Sequence, residues 1–80
     1  MGIVRNYKVL FVLQTKAEHM PLTTAAKCYK VGDIVTLSQL RDFAANTGLI
    51  YEKEDAHGGR PCKVYVKDLH GAAHITAESE

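Results

Sequence analysis

The chain has 80 residues, a formal net charge of +1, 46% hydrophobic and 24% charged residues, and two cysteines. That length holds one domain with a small core and marginal stability, and the near-even charge lacks the overall basicity expected of a nucleic-acid binder. No apolar run approaches the ~18 residues needed to span a membrane and no export signal opens the chain, so an intracellular, cytoplasmic protein without membrane contact is expected.

Met1 to Asn6 form a lead-in. From Tyr7 to Glu18, Val9, Leu10, Leu13 and Ala17 fall at helical spacing and predict a first helix. Val9, Phe11 and Val12 favour a strand as well, so both assignments stand for this segment. His19-Met20-Pro21 stops any helix, because the residue before proline avoids the α region. A second helix is expected from Leu22, capped by Thr23 or Thr24, running through Lys30 and ended by Gly32. Gly32-Asp33 reads as a turn and Ile34-Val35 as a short strand.

The third helix has the clearest signals. Thr36-Leu37-Ser38-Gln39 fits a capping box, Val35 is placed to staple onto Leu40, and Gly48 supplies a left-handed residue after the last turn. Leu37, Leu40, Phe43 and Ala44 form its apolar stripe, which leaves Ser38, Gln39, Arg41, Asp42, Ala45 and Asn46 outward.

Leu49–Lys53 and Lys63–Lys67 then read as two strands of a β-ribbon, the second alternating charged and apolar residues with period two. His57-Gly58-Gly59-Arg60-Pro61 cannot continue either strand, so Arg60 is expected at the ribbon tip. Leu69 to His74 reads as a last helical turn or a loose segment, and Ile75 to Glu80 as a frayed tail.

Cys28 suits a small buried hydrophobe on a helix and Cys62 a structural position. A bridge between them needs Cα atoms within about 7 Å and is not expected. His70 and His74 are spaced for one helix face, with His57 or Cys62 as further ligands. No HExxH or cysteine pair accompanies them, and Gly71 weakens the helix that the geometry needs, so no metal is expected. No nucleophile–base arrangement is visible and the chain has little room for a cleft, so neither an enzyme nor a cofactor is expected.

Three stretches in order carry a family likeness: MPLTTAAKCYKVG, the span from Gly32 to Gly48, and NTGLIYEKEDAHGGRPCKVYV. Together they resemble the winged helix-turn-helix superfamily of transcriptional regulators, over roughly Tyr7 to Asp68. The apolar positions in Thr36–Thr47 fall one residue from the commonest family pattern, and Lys27 and Tyr29 replace a more usual Glu-Leu-Ala run. The resemblance implies an α+β fold, a winged helix-turn-helix with three helices and a C-terminal two- or three-stranded β-wing. It would form a single domain over 1–80, with its core over 7–68 and a disordered tail over 75–80. The implied function is sequence-specific recognition of double-stranded DNA by a small transcriptional regulator, a homodimer with the first helix or His70–Ala77 as its interface.

In that frame Arg41 would pair with guanine, Gln39 or Asn46 with adenine, Ser38 would hold a phosphate, and Asp42 would lie on the same DNA-facing side. Arg60 would reach the minor groove, while Lys27, Lys30, Lys53 and Lys63 would meet phosphates. Two alternatives stand beside it. One is a protein-interaction module, such as a small phage-type inhibitor or adaptor, that does not bind DNA. The other is a non-winged α+β domain in which Tyr7–Leu13 is a strand sharing one sheet with Ile34–Val35 and the ribbon.

Overall fold

A computed structural model of the chain describes residues 6–14, 23–54, 56–57 and 60–80, with the side chains of residues 56, 57, 60 and 61 excepted. Seven strands and two helices follow one another as β1 (Asn6–Val12), α1 (Thr24–Cys28), β2 (Ile34–Thr36), α2 (Leu37–Thr47), β3 (Ile50–Lys53), β4 (Ala56–His57), β5 (Arg60–Pro61), β6 (Lys63–Lys67) and β7 (Ala73–Ser79). Five of the strands form one antiparallel sheet in the order β2-β1-β7-β6-β3. Among the described residues the expected three-helix winged body is therefore replaced by a sheet with two helices, the arrangement of the non-winged α+β alternative.

Of the two assignments open for Tyr7–Leu13 the strand is the one adopted, and the tail expected over Ile75–Glu80 is strand as far as Ser79. Tyr7–Leu13 is not helical: β1 pairs with β2 on one side and β7 on the other. Its register shifts between Val9 and Phe11, so Leu10 and Phe11 together face Thr76 as a β-bulge. The extra residue spaces the buried Val9 and Val12 three apart, which mimics a helical stripe. Ile75–Glu80, by contrast, is no frayed tail. β7 is the middle strand, with Ile75 and Ala77 fully buried, and both its edges are occupied by β1 and β6. His70–Ala77 accordingly offers no free strand edge as a dimer surface.

The segment before β7 is a turn and not a last helical turn. Asp68 organises it: its Oδ1 accepts from the N–H groups of His70 (2.8 Å) and Ala72 (2.9 Å), and its Oδ2 lies 3.2 Å from His74 Nε2. The hydrogen bond from Ala72, followed by those from His74 and His70, holds the Asp68 carboxyl below the ordinary aspartate range. Gly71, at φ 88°, supplies the left-handed backbone this turn requires.

Both helices lie against one face of the sheet. α1 is shorter than the sequence suggested and ends at Cys28, well before Gly32. Thr23 caps it, accepting from Ala26 N–H (3.1 Å) while its hydroxyl donates to the Leu13 carbonyl (2.6 Å). α2 has the expected capping box, with Thr36 N–H donating to Gln39 Oε1 (2.8 Å) and Gln39 N–H donating to Thr36 Oγ1 (3.2 Å). Gly48 at φ 72° closes it. The core joins Tyr7, Val9, Val12, Val35, Val64, Val66, Ile75 and Ala77 from the sheet to Ala25, Leu40 and Ala44 from the helices. Leu37 and Phe43 pack beside it, and the Phe43 ring meets Tyr29 edge-on at 5.3 Å.

The capping box gives a direct test. Thr36→Ala removes the acceptor for Gln39 N–H, so it should lower stability by about 0.5–2 kcal/mol without changing the fold. Urea unfolding would show this as a lower midpoint at unchanged slope.

The expected ribbon is present and longer than its ends implied. β3 pairs with β6 from Ile50↔Lys67 to Lys53↔Val64, and β4 with β5 as Ala56↔Pro61 and His57↔Arg60, in the same register. β7 accompanies β6 as far as Lys63, with Ser79 N–H reaching the Cys62 carbonyl (2.9 Å), so the β4–β5 end stands beyond the sheet. That projection suits a molecule measuring 46 × 24 × 19 Å. Gly58, Gly59, the Arg60 side chain and the His19-Met20-Pro21 stop lie outside the described residues.

Candidate binding surfaces

Alternation along the strands gives the sheet two different faces. One carries the core under α1 and α2. The other has no described helix over it. On this open face Ile34, Lys8, Glu78 and Lys63 form one cross-strand row, and Phe11, Thr76, Tyr65 and Glu52 form the next. Lys67 and Ile50 follow as a directly opposed pair.

The open face is not a simple polar surface. Phe11 is 44% exposed, Ile34 48% and Leu10 37%, and these three surround Lys8 at the β1–β2 side. Ile50, 43% exposed, lies at the opposite edge. Charges on the face are matched in sign. Lys67 Nζ lies 3.1 Å from Glu52 Oε1 and 5.0 Å from the centre of the Tyr65 ring, while Tyr65 donates its hydroxyl to Glu54 at 3.1 Å. Glu78 stands between Lys8 and Lys63 in register. Such exposed pairs contribute little stability, about 0–1 kcal/mol each. They leave the face near neutral, with its apolar side chains uncovered.

The residues first singled out for DNA contact fall on several surfaces. Ser38, Gln39, Arg41, Asp42 and Asn46 are all exposed on the outer side of α2, as the apolar stripe implied. Arg41 is close enough to the half-buried Tyr51 to favour its phenolate, against a larger upward push from burial. Lys27 is exposed on α1, and Lys30 is exposed in the following turn, where its N–H donates to Asp33 at 2.9 Å. Lys63 belongs to the open sheet face, since its neighbour Val64 is buried in the core. The sheet thus separates Lys63 from the outer row of α2. Lys53 is exposed on β3, and Arg60 is placed by its backbone alone, in β5 opposite His57.

Sequence reasoning did not identify Leu10, Phe11 and Ile34 as surface residues. The bulge hid the first two, whereas the clean alternation of β6 already showed that Tyr65 and Lys67 share the side opposite Val64 and Val66. Cys28 and Cys62 are both free and exposed, which corrects the expectation of a buried Cys28. Among the described residues no cluster of three His, Cys, Asp or Glu side chains is arranged to hold a metal ion, and no helix is long and apolar enough to cross a membrane. No protein-family model, curated protein or solved structure matches the chain.

Proposed function

We infer that this chain is a non-catalytic protein-binding module whose docking surface is the open sheet face around Leu10, Phe11 and Ile34. One observation carries this reading: apolar side chains 37–48% exposed gather on a sheet face that no described helix covers. An antiparallel sheet with one wet face normally alternates apolar-in and polar-out, so aliphatic and aromatic residues pointing outward depart from that pattern. Apolar patches rimmed by polar residues are the usual mark of a protein contact. The near-neutral charge of the face favours the same class of partner. A nucleic acid would be met by unopposed cations, and here the lysines are answered by Glu52 and Glu78.

DNA contact is the second reading. The exposed polar row of Ser38, Gln39, Arg41, Asp42 and Asn46 on α2, with the projecting β4–β5 ribbon, favours it. It does not use the open face, so the two readings separate experimentally. With the chain immobilised, proteins from its native cell extract should be retained by the wild type and by the α2 variant Asn46→Lys. Phe11→Lys should lose them by at least about thirtyfold, the scale of an aromatic hot spot worth 2 kcal/mol. Equal retention by all three chains would remove the sheet-face reading. Salt-sensitive retention of duplex DNA, weakened by Asn46→Ala and Arg41→Ala, would move the assignment to α2.

A further inference from the structure

We propose that the outer edge of β3 pairs with β3 of a second copy of this chain, forming a twofold-symmetric dimer with one continuous sheet. The proposal is independent of what docks on the open face. β3 stands last in the strand order, and its inner edge is committed to β6. The Glu54 N–H donates to the Lys63 carbonyl at 2.9 Å, continuing that ladder. Backbone groups of an antiparallel strand alternate sides, so Ile50, Glu52 and Glu54 turn toward β6. The N–H and C=O groups of Tyr51 and Lys53 turn outward, and no described residue receives them.

An edge with unpaired donors and acceptors is a template for another strand, and natural edges are commonly blunted by proline, bulges, short length or charged side chains. β3 has no proline and no bulge against β6, and its two charges, Glu52 and Lys53, are opposite in sign. A second copy is the occupant that this sequence suits, because the strand complements itself. With the twofold axis at Tyr51, the two Tyr51 residues exchange both backbone hydrogen bonds. Ile50 then lies opposite Glu52 of the second copy, Lys53 opposite Leu49, and no like charges meet. A twofold at Glu52 would set two carboxylates directly opposite, which is destabilising. The added strand also shields Ile50 and the half-buried Tyr51, extending the packed sheet.

The test is the mass of the full chain by light scattering as concentration rises from micromolar to millimolar, beside Lys53→Pro. Proline at this position removes an outward N–H and crowds the edge without breaking a bond to β6. The wild type should pass from one chain to two, and Lys53→Pro should remain at one with the same circular dichroism. In the wild type, deuterium exchange at the Tyr51 amide should slow by at least tenfold as the mass doubles. A wild type that stays at one chain to millimolar concentration overturns the proposal. So does a dimer that Lys53→Pro preserves, or one whose Tyr51 amide exchanges as fast as in the monomer.

Discussion

Removing Ala73–Glu80 should leave a chain with no cooperative unfolding transition and the circular dichroism of an unfolded polypeptide. β7 pairs with β1 along one edge and β6 along the other, and it places Ile75 and Ala77 at the centre of the core. Without it, β1–β2 and the β3–β6 ribbon become two separate two-stranded pieces. Such hairpins are at best marginally stable in water, and α2 has no continuous surface to cover. The deletion also exposes Val9, Val12, Val64 and Val66, each buried in the intact core. At about 1.5–3 kcal/mol per fully buried aliphatic side chain, that loss matches or exceeds the whole stability of a domain this size. Thermal melts and urea titrations of the truncated chain decide the matter: a sigmoidal transition with a normal slope would contradict the central place of β7.

This central strand was the feature least visible in the sequence, and the reason is physical. Its inward positions are Ile75 and Ala77, and alanine gives almost no alternation signal against Thr76 and Glu78. A chain end rich in small and acidic residues has the composition of a frayed terminus, and only pairing on both sides shows otherwise. β1 was obscured differently, because its bulge broke the period of two just where Leu10 and Phe11 stand. α2 was legible almost to the residue: the Thr36 cap, the Leu37–Leu40–Phe43–Ala44 stripe and the Gly48 terminus are local signals that owe nothing to distant partners. The ribbon was legible for the same reason, since glycines, a proline and flanking alternation specify a hairpin by themselves. The three-helix winged fold was the wrong expectation because a capped helix followed by a hairpin is common to many folds. What distinguishes them is whether the first and last segments are helices or strands. The candidate surface inherits that history, because Leu10, Phe11 and Ile34 become neighbours only once β1 is a strand beside β2.

Leu40→Ala should destabilise the fold by about 2–5 kcal/mol, whereas Arg41→Ala, one residue along the same helix, should stay within about 0.5 kcal/mol. Leu40 is fully buried and is the largest apolar side chain that α2 inserts into the core. Truncation removes its contacts with the sheet and leaves a cavity that a small, two-layer core has few neighbours to refill. A domain of 80 residues has roughly 4–12 kcal/mol of total stability, so the change consumes a large share and brings the transition close to ambient conditions. Arg41 is exposed and makes no ion pair among the described residues, and its influence on the Tyr51 phenol matters only at alkaline pH. The contrast assigns inside and outside to α2 by energy alone. Urea midpoints that fall equally for both variants, or a Leu40→Ala midpoint that does not move, would show that α2 is not docked on the sheet by this stripe. A large effect from Arg41→Ala alone would instead place the outer row of α2 in contact with something that the isolated fold does not require.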